Sequence, residues 1–148
     1  LLKDRERLCS ILKSLVQSID KPVTCKIRLL DNMSDTIDLV KSIEQTGVTA
    51  LTVHARYIEQ RSRDAAHLQY LEQIKSVINI PLIANGDCFR YEDFESMRTL
   101  YKCDAVMTAR GALWNPSIFQ PEPMAKADCA LRLISYVEQF HGMDINTK

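Results

Sequence analysis

The runs PVTCKIR (22–28), ALTVHAR (50–56), PLIANGD (81–87) and DAVMTARGA (104–112) decide the fold. Each is apolar along most of its length and closes on charged or polar groups: Lys26 and Arg28, His54 and Arg56, Asn85 to Asp87, and Arg110. Helical spacing of apolar residues follows the first three runs, through Ile37, Val40 and Ile43, then Leu68, Leu71, Ile74 and Val77, then Phe94, Met97 and Leu100. A helix through Leu8, Ile11, Leu12, Leu15, Val16 and Ile19 precedes the first run and stops at Lys21-Pro22. Asp31 to Ser34 is loop and cap chemistry, and Gly47 is a helix stop. After the fourth run come the short WNPSIF segment, Pro121 and Pro123, and a last helix through Ala127, Ala130, Leu131, Ile134 and Val137.

Strands alternating with helices imply βαβ units and a parallel sheet. The unit recurs every ~25–30 residues, the spacing of a (β/α)8 barrel. A doubly wound open sheet competes, but its first strand leads into a Gly-rich turn, and no G-x-G-x-x-G occurs here. The expected fold class is therefore α/β, a TIM (β/α)8 barrel, with its last four βα units in this chain. Residues 1–120 are expected to form that C-terminal half of the barrel, and 121–148 to begin a helical region that continues beyond it. A first residue other than Met, inside a helix-like opening, fits a piece of a longer protein.

The 148 residues, 46% hydrophobic, suffice for one core but not for two full domains. Lys+Arg and Asp+Glu both number 19, so no net field draws a polyanion to the chain as a whole, and any such contact is local. The five Cys form no C-x-x-C pattern, which is the usage of reduced, packed thiols and implies a cytoplasmic setting. No apolar stretch approaches the ~18–20 residues of a membrane span. His54 has no second His or Cys at ligand spacing, so no metal site is expected.

Strand parity sorts the polar groups. Val23, Cys25 and Ile27 fall on one face of the first strand, Thr24, Lys26 and Arg28 on the other. In the second, Leu51, Val53 and Ala55 oppose Ala50, Thr52, His54 and Arg56. The polar set belongs to the barrel interior, where an unpaired cation is costly. Lys26 thus calls for an anion or an electron-rich ring, or else, with Arg28, reaches solvent at the strand end. Asn85-Gly86-Asp87 and Arg110-Gly111-Ala112 close consecutive strands. If these are strands 7 and 8, their loops form the usual phosphate site of such barrels, with Gly allowing close backbone approach. Ordinary turn chemistry is the competing reading of each loop taken singly.

CKIRLL, TVHAR, PLIANGD and VMTARGALWNPSIF together resemble the tRNA-dihydrouridine synthases, FMN-dependent TIM-barrel enzymes, and within them the eukaryotic type acting at position 20 of the D-loop. The NTK after the last helix has a counterpart there too. The resemblance covers nearly the whole chain. It implies reduction of a tRNA uridine to 5,6-dihydrouridine with NADPH through FMN. It places Lys26 at the polar edge of the flavin ring and His54 against FMN. Asn85, Gly86 and Asp87 fall at ribityl and phosphate, with Ala109, Arg110 and Gly111 at the phosphate. Arg28 is implied at the flavin or the target uracil, and Arg56, also a substrate contact, lies with Arg61, Arg63 and Tyr57 at the mouth, where tRNA backbone could meet the arginines and a solvated polar loop is the competing reading. The family's catalytic Cys sits in an Asn-x-Gly-Cys-Pro type segment that this sequence does not contain, so no catalytic residue is assigned to this chain. Ala55 replaces a Gly common in the family. Half a barrel leaves two open sheet edges and invites self-association. Two other classes stay open: another FMN- or phosphate-binding barrel, such as a dihydroorotate-dehydrogenase-like enzyme, and a non-catalytic interaction fragment.

Overall fold

A computed structural model describes residues 1–140. The NTK match and the end of the 121–148 region lie outside the described residues. Helix α1 (Arg5–Ser18) leads into β1 (Thr24–Leu29), α2 (Met33–Glu44), β2 (Ala50–Tyr57), α3 (Tyr70–Lys75), β3 (Leu82–Asn85), α4 (Tyr91–Tyr101) and β4 (Ala105–Met107). A short α5 (Arg110–Trp114), a 3-10 turn (Pro116–Phe119) and α6 (Lys126–Gln139) follow. The cap at Asn32 and the stop at Gly47 lie where the sequence puts them, and Asp4 adds a cap to α1 that the sequence reading did not name. Asp4 accepts the Arg7 N–H at 3.1 Å and Asn32 accepts that of Asp35 at 2.8 Å. Gly47, at φ +88, turns the chain out of α2.

The strands pair in parallel in the order β1-β2-β3-β4. Sequential order with a helix in every crossover is that of successive barrel units. A doubly wound sheet reverses order at its switch point. α1 packs on α2, α2 on α3 and α3 on α4, as in the outer ring of a barrel.

The register builds two kinds of row. Cys25, Leu51 and Leu82 align on one face, as do Ile27, Val53 and Ala84, and all are buried. With Leu39, Val40, Ile43, Leu71 and Ile74 they make the core between sheet and helices. Ala55 is fully buried on this face, toward the helices as its parity requires. On the other face Lys26 aligns with Thr52, Ile83 and Ala105, and one step nearer the carboxyl ends Arg28 aligns with His54, Asn85 and Met107. β1 slips out of register after Arg28, where Leu29 meets Tyr57.

Among the described residues β1 and β4 each pair on one side only. Unpaired edges over an open inner face invite pairing with another copy. The 148-residue chain is therefore expected to gain weight-average mass with concentration in sedimentation velocity. A strictly monomeric species with a sharp cooperative melt contradicts this.

Candidate functional site

A cavity of about 140 Å3 opens at the carboxyl ends of the strands. Arg28, His54, Arg56, Asn85, Gly86, Asp87, Ala109 and Arg110 line it, so eight of the residues singled out in the sequence meet at one rim. Lys26 does not line it, because the register sets it two residues deeper on the inner face, level with Thr52. It remains exposed there, and burial and then the charge of Arg28 lower its pKa. Gly111 lies outside the cavity. A Cβ on it would come within 2.7 Å of the Cys88 carbonyl, Ile118 and Thr108 Oγ1, so packing rather than ligand approach requires glycine there. Gly86 does face the cavity. Its φ of +134, and a Cβ position 2.9 Å from Ala66, leave room for no other residue.

The two strand-end arginines expected to meet substrate are committed elsewhere. Arg56 is 2% exposed. Its Nε donates to the Asp64 carbonyl at 2.7 Å, its Nη2 to Asp87 Oδ1 at 2.5 Å, and its Nη1 faces His54 Nε2 at 3.0 Å. It lines the cavity from below and is buried, so it braces the rim and does not reach into solvent at the mouth. Arg28 Nη1 donates to the carbonyls of Tyr57, Ile58 and Gln60 at 3.1, 2.8 and 3.0 Å. It ties β1 to the loop after β2. Arg61 and Arg63, on that loop, are exposed.

Asp87 is corrected in the same way. Its Oδ1 accepts from Arg56 and, at 2.9 Å, from Arg110 Nη2, and its Oδ2 accepts the Ala66 N–H at 2.8 Å. Burial pushes its carboxyl up. The Arg56 hydrogen bond, the Ala66 N–H and the charges of both arginines outweigh that and hold it below its ordinary value. A carboxylate so occupied holds arginines; it does not hold phosphate. The Asn85 side-chain amide donates to the Met107 carbonyl at 2.9 Å and locks β3 to β4.

Arg110 keeps capacity to spare. Nη1 donates to the Ser62 carbonyl at 3.2 Å and Nη2 to Asp87. Its Cζ lies 4.9 Å from the centre of the Phe89 ring, which stacks on Trp114. Two of the five N–H groups of a guanidinium are thus used. α5 begins at Arg110 with no side chain capping it, so its first N–H groups lack intrahelical acceptors. Phe89, Ser62, Met107 and Thr108 also line the cavity. Sequence reasoning passed over them. Phe89, an aromatic just past the Gly86-Asp87 turn, offered the one usable signal.

Arg28 Nε lies 3.3 Å from His54 Nδ1, so both ring nitrogens face guanidinium donors. Each contact needs a lone pair. A neutral imidazole has one, on the nitrogen that carries no hydrogen, and a protonated ring has none. Burial first, then Arg28, Lys26 and Arg56, lower the His54 pKa to about 4. The thiols of Cys25 and Cys103 are raised by burial, and that of Cys88 is pushed up to about 11 by burial, with Asp93 adding to it. None of these three is an acid or nucleophile in waiting.

Fold and rim together define successive barrel-type βα units with a cationic, donor-rich site at the strand ends. The family model for dihydrouridine synthase (Dus) matches residues 1–145, and the chain belongs to that family. It is 41% identical to tRNA-dihydrouridine(20) synthase [NAD(P)+] of Schizosaccharomyces pombe, over 100% of this chain and 33% of that protein. It is 35% identical to the human tRNA-dihydrouridine(20a/20b) synthase [NAD(P)+]-like protein, over 80% of this chain and 38% of that one. It is 33% identical to a tRNA-dihydrouridine(16) synthase of Neisseria meningitidis, over 80% of this chain and 36% of that one. The chain thus spans about a third of the length of these relatives. Among solved structures, nitroalkane oxidase from Streptomyces ansochromogenes matches 66% of the chain at a TM-score of 0.41 and 16% identity, too slight a likeness to bear on function.

His54 sets the expected pH response. Unfolded, it takes up a proton below about 6.5; folded, only near 4. Between these values the unfolded state binds more protons, so stability falls as pH is lowered through that window. Urea midpoints at pH 7 and pH 4.5 should show the decline, and His54→Gln should remove much of it.

Proposed function

We propose that this chain is the strand 5–8 half of a flavin-dependent tRNA-dihydrouridine synthase, in which FMN and NADPH serve to reduce a D-loop uridine. The observation that carries the reading is the donor set at the rim. Arg110, His54, the Asn85-Gly86 turn and the open start of α5 converge on one cavity at the ends of successive parallel strands. Such a set suits an anionic, oxygen-rich ligand. The cavity is smaller than the roughly 300–1,000 Å3 that encloses a whole small molecule. The residues described here therefore enclose one end of the ligand, which the chemistry of Arg110 makes the phosphate.

On this reading Arg110, the Ala109 backbone and Gly86 hold the phosphate, and His54 and Asn85 lie further along the inner face. Lys26, deeper still, lies under the polar edge of the ring, where its charge favours an electron-rich partner. The chemistry that FMN supplies when bound is two-electron transfer between a nicotinamide and the C5–C6 bond of the uridine. The chain's own contribution is to bind and orient the ligand on the inner face. His54 stays neutral at neutral pH, so it adds no further positive charge to Arg28, Arg56 and Arg110 around it. Nothing in this chain serves as the proton donor to the uridine. The Asn-x-Gly-Cys-Pro type segment is absent from it, and Cys25, Cys88 and Cys103 are buried.

Flavin fluorescence should be quenched on mixing FMN with the chain, and Lys26→Met should weaken FMN and riboflavin alike by about tenfold, the loss of one charge-assisted contact. Incubation of the chain with tRNA, FMN and NADPH should yield no dihydrouridine by nucleoside mass spectrometry. Absence of flavin binding overturns the cofactor assignment, and dihydrouridine in that assay overturns the account of the missing proton donor.

A further inference from the structure

Asp87 stands where a phosphate site would least want it. A carboxylate repels a phosphate, yet this one lines the same cavity as Arg110. Three donors converge on it: buried Arg56, Arg110 and the Ala66 N–H. Its backbone is held at φ +48, a conformation uncommon outside glycine that Asp tolerates better than most residues. Arg56 also lines the cavity but is 2% exposed, and all three of its guanidinium nitrogens are engaged inside the protein. What the pair achieves is geometric. Arg56 fixes the carboxylate, and the carboxylate fixes one edge of the Arg110 guanidinium. The Ser62 carbonyl and the Phe89 ring fix the rest of it. One negative charge between two positive ones leaves the cluster net cationic by one. The remaining N–H groups of Arg110 are left free, in one orientation.

We propose that Asp87, seated on Arg56, is a positioning residue that aims Arg110. Preference for a phosphorylated flavin over its unphosphorylated form then depends on a carboxylate that does not touch the ligand. The proposal rests on the phosphate reading of the rim. It separates cleanly from a simple charge effect. Asp87→Asn raises the local charge by one, so if Arg110 acted only as diffuse positive charge, FMN would bind as well or better. If Arg110 must be aimed, FMN binding weakens.

The test uses FMN and riboflavin as probes of the chain, with dissociation constants from fluorescence titration. Asp87→Asn is expected to reduce the preference for FMN about tenfold, the scale of one charge-assisted hydrogen bond, with riboflavin affinity unchanged. In an Arg110→Met background the same substitution should have no further effect, because there is nothing left to aim. Arg110→Lys, on a partly exposed side chain, keeps the charge but cannot span Asp87 and Ser62 together. It should lose most of the preference even if Asp87→Asn proves too unstable to assay. An unchanged or increased FMN preference in Asp87→Asn, or a full preference in Arg110→Lys, overturns the positioning role. A different result sinks the phosphate reading itself: no preference for FMN in the wild-type chain, or none lost in Arg110→Met. The role of Asp87 in ligand choice then falls with it.

Discussion

Asp87 follows the end of β3, and its carboxylate binds β2, the loop after β2 and the start of α5. Arg56 reaches it from β2, Ala66 from the loop and Arg110 from the first residue of α5. Taking a buried guanidinium such as Arg56 out of water is costly unless its hydrogens are matched. Here each of its nitrogens has a partner. The seat of the loop and the stance of Arg110 both follow from that one cluster.

The loop after β2 is the second consequence. Arg28 from β1, Arg56 from β2, Asp87 beyond β3 and Arg110 on α5 all bond to backbone groups between Tyr57 and Ala66. Every strand end therefore contributes a side chain to one segment, which lies along the rim and carries Arg61 and Arg63 into solvent. In a barrel, loops at this end bear the chemistry. Here the loop is also the brace that keeps the strand-end groups in place. A ligand that draws on Arg110 thereby bears on the segment presenting the two exposed arginines.

Much of this was legible before any coordinates. The alternation of apolar runs and helical spacing located the four strands, α1 to α4 and α6, but it carried the fourth strand to Arg110, where the structure ends β4 at Met107 and starts the short α5. Parity separated Cys25, Ile27, Leu51, Val53 and Ala55, all buried, from Lys26, Arg28 and His54, which are not. The end of the strands that bears the site was equally plain, because polar residues closing an otherwise apolar strand have few other uses. The roles of Arg28, Arg56, Asp87 and Gly111 were not legible. Arg28 bonds mainly to main-chain carbonyls, and Arg56 to one carbonyl and to side chains 2 and 31 residues away, partners that no sequence advertises. Gly111 reads the same whether a ligand or a neighbouring side chain forbids its Cβ.

The amino-acid order by itself determined the parallel α/β architecture, the face on which the core forms and the rim where polar groups gather. These follow from periodicity and hydrophobicity, which are properties of neighbours along the chain. Only the tertiary structure decided which rim cations are spent internally and which remain available. That depends on distances between groups far apart in sequence, such as Arg56 to Asp87 and Arg110 to Ser62. Hydrogen bonding is short-ranged and directional, so a guanidinium serves a ligand or the protein according to placement within a fraction of an ångström.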